Sequence, residues 1–222
     1  MEKPAYLAKF FNDIQYAQRL LSLGELYMRP AQYYIQLEQR GKNGNQGDRF
    51  EGACSHTLGI SKGVNHPIYC MMQIMPQELS IDRQGRTYFS ISSLVCEDFF
   101  SNQETGVVVV IPYSDFVSRI TPTTVGGRYY RHRSVIYGNI NSLESTKMLF
   151  VDDRMSSLFI KRPKFSYQRE YRICISEDLP ISEEEINNSH LTIYLGDFST
   201  SAHLIHYSQF EAFDDGFHLY IT

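Results

Sequence analysis

Residues 161–175 read Lys161-Arg162-Pro163-Lys164-Phe165-Ser166-Tyr167-Gln168-Arg169-Glu170-Tyr171-Arg172-Ile173-Cys174-Ile175. From Phe165 onward Phe165, Tyr167, Tyr171 and Ile173 share one parity, with Arg169 the exception, and Ser166, Gln168, Glu170 and Arg172 share the other. Alternation at period two with aromatic and β-branched residues predicts a strand from Phe165 to Ile175 with one face buried. Side chains two apart on a strand leave the same face, so Gln168, Glu170 and Arg172 are expected side by side. A carboxylate and a neutral amide aimed into one space suit chemistry on a polar substrate. The plainer alternative is a solvated strand face on which Glu170 pairs with Arg172 or Arg162.

Working outward, the 222 residues fit one α+β domain spanning 1–222, with long loops. There are 16 Tyr and 14 Phe and no Trp, so rings are expected in core and pocket walls alike. With 21 basic against 25 acidic residues the formal charge is −4, which argues against bulk electrostatic binding of nucleic acid but leaves room for a local basic patch. Cys54, Cys70, Cys96 and Cys174 are widely spaced, without a C-x-x-C pair, so reduced thiols are expected and no metal site. The N-terminal M-E-K-P-A-Y-L lacks an apolar signal core and no run reaches membrane-spanning length; a soluble, cytoplasmic protein is the expectation.

Along the chain, Ala5–Phe11 is a predicted strand, followed by a helix capped by Asn12 or Asp13 and closed at Gly24. Further strands are expected at 25–28, 67–75, 86–94, 107–111, 191–195, 203–207 and 217–221, with Val107–Ile111 buried on both faces. Arg128–Tyr137 turns strand-like after a run of cations and rings. Short helices are expected near Pro30–Tyr34 and Pro112–Ile120, over Glu144–Phe159, and over the acidic Ser182–Ile186. The Gly-rich stretch 40–52 is a predicted loop that lacks the phosphate-loop signature.

Four pieces in order resemble a bacterial family of unknown function: Lys9-Phe10 with Gly24, Gly47-Asp48-Arg49-Phe50-Glu51-Gly52, Phe89-Ser90-Ile91-Ser92 ahead of Gly106-Val107-Val108-Val109, and Lys161 or Lys164 with Phe165 to Arg172. The chain departs from that family's pattern at Phe165, where a tryptophan is usual, and at Gln168, where a glutamate is usual. Through an early basic residue, Ser90-Ile91-Ser92 and Gln168-Arg169-Glu170, the chain is also similar to ADP-ribosyltransferases of the arginine-serine-glutamate kind.

That resemblance implies a split, twisted mixed β-sheet flanked by short helices. It implies NAD-dependent mono-ADP-ribosyl transfer by a toxin or phage-conflict effector, onto DNA, RNA or a protein side chain, with a cognate antitoxin as a further partner. In its terms Glu170 is the catalytic carboxylate and Gln168 faces the acceptor, Tyr88, Ser90 and Ser92 orient NAD, and Lys9 or Arg49 holds its phosphates. The chemistry itself asks for the same parts: a carboxylate near the developing oxocarbenium, a cation for the pyrophosphate (Lys9, Arg49 or Arg29), hydroxyls for the ribose and rings for nicotinamide.

Other readings stand beside it. Ser90 and Ser92 fit ordinary strand-face serines, and Asp48 and Glu51 fit turn bonding. Arg128, Tyr130 and Arg131, with Tyr129, His132 and Arg133, suit stacking and phosphate contact with a nucleic acid, or a solvated charged hairpin. The histidines show no metalloprotease or triad spacing, and Cys96 has no base nearby in sequence. The competing function is therefore a non-catalytic nucleotide- or nucleic-acid-binding module.

Overall fold

The computed structural model describes residues 2–39, 64–100, 105–138, 155–214 and 216–221. The elements run β1 (Tyr6–Phe11), α1 (Ile14–Leu23), β2 (Glu25–Pro30), α2 (Ala31–Gln39), β3 (Pro67–Ile74), β4 (Ser80–Ile81), β5 (Thr87–Ser92), α3 (Ser93–Phe99), β6 (Val107–Pro112) and α4 (Tyr113–Ser118). They continue with β7 (Tyr130–Ser134), β8 (Ile136–Tyr137), β9 (Ile160–Lys161), β10 (Glu170–Ile175), β11 (Leu191–Tyr194), β12 (His203–His206), β13 (Glu211–Phe213) and β14 (Gly216–Ile221). The class is α+β, with short helices. No helix among the described residues is long and apolar enough to cross a membrane.

The chain divides into two compact units. Unit 1 is Met1–Leu26, Met71–Thr124 and Ile193–Thr222; unit 2 is Tyr27–Cys70 and Val125–Thr192.

In unit 1, β1 pairs antiparallel with β6 from Tyr6↔Pro112 to Phe11↔Val107 and with the end of β3 from Tyr6↔Ile74 to Ala8↔Met72; β12 pairs with β6 on its far side. All five residues Val107–Ile111 are buried, as a β-branched run flanked by strands on both edges should be. Helix α1 follows from local chemistry. Asp13 sits in extended conformation and its Oδ1 accepts from the Gln15 N–H at 2.8 Å, while Gly24 closes the helix at φ 63°. A Cβ at Gly24 would lie 2.4 Å from the Gly196 carbonyl oxygen, so glycine is required both by conformation and by space. A second sheet has the order β13-β14-β5-β4, with Phe89, Ile91 and Leu219 turned into the core.

In unit 2, β7 pairs antiparallel with β10 from Tyr171↔Ser134 to Ile175↔Tyr130, β2 meets β3 at Arg29↔Ile68 and Pro30↔Pro67, and β8 runs parallel to β9. Ala31, Ile68, Met155, Leu158, Phe159 and Cys174 form its apolar cluster, with Tyr34 and Cys70 packed against it. All six residues of β10 are buried. Among the described residues no strand pairs with the second edge of β7, and all five of its residues are only partly buried.

Three expectations need correction. The strand expected from Phe165 begins at Glu170; residues Pro163–Gln168 form a 3-10 helix, closed by Arg169 at φ 44°. Pro163 presets the first φ of that turn, and a six-residue turn with alternating polarity imitates a strand in sequence. The strand that does form is buried throughout, so it has no solvated face. The acidic stretch Ser182–Ile186 forms turns without a helix: the Ser182 hydroxyl donates to Glu185 Oε2 at 2.6 Å, leaving three consecutive glutamates 183–185 without a conventional cap. Most of the helix expected over Glu144–Phe159 lies outside the described residues, and Ser156–Phe159 is a 3-10 turn. The stretch 40–52, with Asp48, Arg49 and Glu51, also lies outside them.

Candidate functional site

In unit 2, Gln168 and Glu170 meet at one amine. Lys161, the last residue of β9, donates from Nζ to Gln168 Oε1 at 2.7 Å and to Glu170 Oε1. Arg172 Nη2 donates to Glu170 Oε2 at 2.5 Å, and Arg172 Nη1 donates to the Leu158 carbonyl. Glu170 is 5% exposed and Arg172 0%, the largest fully buried side chain described. The Glu170 N–H donates to Tyr137 Oη at 2.7 Å, and the Val135 N–H donates to the Glu170 carbonyl at 2.9 Å. Lys161, Arg162 and Lys164 all lie within 5.2 Å of the Phe165 ring centroid, so this ring is surrounded by cations.

The electrostatics follow from that packing. Burial alone pushes the Glu170 carboxyl up, but Lys161 and Arg172 overcome it and hold the group well below the usual carboxylate range. Burial, with the Glu170 charge adding to it, pushes the Tyr137 hydroxyl up. The cluster therefore holds one anion between two cations, away from water. The Glu170 expected on a solvent- or cleft-facing position is instead buried, and of the two partners foreseen for it, Arg172 is present. Lys161 was not foreseen, because it reaches Glu170 across a turn whose spacing strand periodicity does not encode.

The remaining expected residues fall as follows. Lys9 lies on β1 of unit 1 opposite Val109, partly buried. Also in unit 1, Ser90 Oγ and His218 Nδ1 are 2.9 Å apart across the β5–β14 pair. The His218 ring stacks on Phe213 at 4.4 Å between centroids and lies 4.6 Å from Tyr88. Sequence spacing does not signal this serine–histidine pair, since only strand register brings positions 90 and 218 together. Ser92 is the N-cap of α3, its hydroxyl oxygen accepting from the Leu94 N–H at 3.1 Å. A cavity of about 160 Å³ in unit 1 is lined by Arg86, Leu204, Ile205, Gln209, Glu211 and Tyr220, none of which the sequence had singled out. Burial pushes the Cys96 thiol up to about 12, with Glu97 adding to it, so it stays a protonated thiol at neutral pH.

The basic–aromatic stretch of unit 2 is laid out along β7. Tyr129 immediately precedes the strand and is 57% exposed. Arg131 Nε donates to Tyr129 Oη at 3.0 Å, with the guanidinium carbon 6.0 Å from the ring centroid and Nη1 3.4 Å from Ser156 Oγ. Tyr130 and His132 stack near-parallel at 6.1 Å, and His132 Nδ1 lies 2.6 Å from Tyr171 Oη. Burial lowers the His132 pKa, which keeps the ring neutral. Arg128 is ion-paired with Glu177, and Arg133 lies over Phe159 at 4.8 Å. Charge is divided between the units: unit 2 has 15 basic and 12 acidic residues, unit 1 has 6 and 13. Comparison of the chain with protein families, with curated proteins and with solved structures finds no match.

Proposed function

We propose that the chain is a nucleotide- or nucleic-acid-binding protein that engages its ligand along β7. The observation carrying this reading is the exposed Tyr129 ring beside the Arg131 guanidinium, next to a strand that among the described residues is paired on one edge, in the more basic unit. An exposed ring offers a stacking face to any base, and a neighbouring guanidinium offers charge-assisted hydrogen bonds to a phosphate. The test is gel-shift and anisotropy titration of mixed DNA and RNA oligonucleotides with wild type and a Tyr129→Ala/Arg131→Ala double variant. Binding by wild type that is lost in the double variant is the expected result; absence of binding by wild type would sink the reading.

A second reading is NAD-dependent mono-ADP-ribosyl transfer, favoured by one observation: the Gln168 amide and the Glu170 carboxylate converge on Lys161 Nζ. Its difficulty is electrostatic. A carboxylate whose two oxygens already face cations has little field left for a developing oxocarbenium, so Lys161 or Arg172 must first let go. Incubation with labelled NAD and separate pools of DNA, RNA and lysate protein tests it. Label transferred by wild type and not by Gln168→Ala, with both shown folded, would support transfer; no label in any pool and no nicotinamide release would remove it.

A further inference from the structure

We propose that the cavity lined by Arg86, Leu204, Ile205, Gln209, Glu211 and Tyr220 binds a free α-amino acid with an aliphatic side chain, its carboxylate on Arg86 and its ammonium on Glu211. All six residues belong to unit 1, so the site is separate from the β7 reading, which concerns unit 2.

The two charges are held in place without closing tightly on each other. Arg86 Nε donates to Asp82 Oδ2 at 2.7 Å, and its guanidinium carbon lies 3.9 Å from the Tyr220 ring centroid. An ion pair at one edge and a ring against one face orient the group, while Nη1 has no partner among the described residues. Glu211 Oε2 accepts from the Tyr220 hydroxyl at 3.0 Å, which anchors the carboxylate on the ring that carries Arg86. Arg86 Nη2 and Glu211 Oε1 are 3.4 Å apart, against about 2.7–2.9 Å for a tight charge-assisted hydrogen bond, and both side chains are partly exposed. A cation and an anion so placed match a ligand that carries both signs.

The main chain adds neutral groups of both kinds. One edge of β12 pairs with β6, and among the described residues no strand pairs with the other. The Tyr207 N–H donates to the Gly106 carbonyl at 2.8 Å, so the next hydrogen-bonded pair of this antiparallel ladder is Ile205↔Val108. Leu204 and His206 therefore turn their N–H and C=O away from β6. On that side the His206 N–H donates to Gln209 Oε1 at 2.7 Å, which leaves the Gln209 amide nitrogen as a donor. Leu204 borders the cavity with its N–H and C=O on the same outer edge. A donor for a carboxylate and an acceptor for an ammonium thus stand beside the two charged side chains.

Size and charge narrow the class. The cavity measures about 160 Å³, against ~300–1,000 Å³ for pockets that take drug-sized ligands, which suits a small metabolite. Unit 1 has 6 basic and 13 acidic residues, a field that disfavours phosphates and other simple anions. A ligand with a carboxylate alone leaves Glu211 unmatched, and an amine alone leaves Arg86 unmatched. Leu204 and Ile205 supply aliphatic surface for the side chain.

The experiment is isothermal titration calorimetry of the full chain with L-valine and L-leucine, up to about 10 mM. Two analogues of leucine serve as probes of charge: 4-methylpentanoate, which lacks the amino group, and 3-methylbutylamine, which lacks the carboxylate. The expected result is binding of at least one amino acid and at least about tenfold weaker binding of both analogues. Glu211→Gln should weaken the amino acid at least about tenfold, with an unchanged urea midpoint showing that the fold is kept. No binding of either amino acid, an analogue bound as tightly as leucine, or an unchanged affinity in Glu211→Gln would overturn the proposal. The analogue arms use wild type alone, so the proposal stays open to refutation even where the variant fails to fold.

Discussion

The Lys161–Glu170–Arg172 cluster and the Tyr129–Arg131 pair lie in the same unit and draw on the same residue types, yet physically they are opposites. In the first, a carboxylate between two cations is closed off from water and every charge has an opposite neighbour. In the second, a partly buried guanidinium shares a hydrogen bond with a ring that is 57% exposed. The position that looks catalytic in sequence is built like a fold anchor, and the one that looks like a charged hairpin is built like a contact surface. Burial separates the two, because leaving an ion buried without its partner costs several kcal/mol while a surface contact is worth less than one.

The sharpest way to break that contrast is Glu170→Ala. It strands two buried cations and should cost about 3–5 kcal/mol in urea unfolding, where a cleft-facing carboxylate would cost almost nothing. Lys161→Met should cost less, since Arg172 still neutralises Glu170. Acid should expose the same dependence. The folded carboxyl of Glu170 lies below its unfolded value of 4.5, so its stabilisation is present above that pH and fades as pH falls from about 4.5. Urea midpoints measured from pH 7 to 3 should show this slope in wild type and a shallower one in Glu170→Gln.

A smaller effect belongs to His132. Burial lowers its pKa beneath the unfolded value of 6.5, so the unfolded chain binds the proton more readily and stability declines as pH drops below 6.5. His132→Gln should flatten the urea-midpoint profile between about pH 6.5 and 5. Smallest of all is Tyr129→Ala, which should move stability by no more than about 0.5 kcal/mol; a larger loss by thermal or urea melt would mean that the exposed ring is a packing element after all.

Much of the framework was legible because it is local. The five-residue Val107–Ile111 run and the Gly24 stop stand where the pattern places them, and of Asn12 and Asp13, the two caps it offers, Asp13 is the one used. The stretch from Phe165 to Gln168 misled because polarity alternates in a 3-10 turn as readily as in a strand, and only the left-handed Arg169 separates the turn from β10. Gln168 and Glu170 meet at Lys161 Nζ, not on the shared strand face that the alternation predicts. The pairing of Ser90 with His218 depends on which strands become neighbours, and no local pattern carries that information.

The β5–β14 register has a consequence for synthesis. Ser90 meets His218 across 128 residues and Arg86 meets Glu211 across 125, so β5 waits for a strand made much later. At a translation rate of about 5–20 residues per second the wait is roughly 6–25 s. Throughout it Phe89 and Ile91, fully covered in the finished fold, belong to a strand whose β14 edge is unoccupied. Until β14 emerges the nascent chain is exposed to misassociation at β5, and a chaperone that shields apolar strands should raise the folded yield.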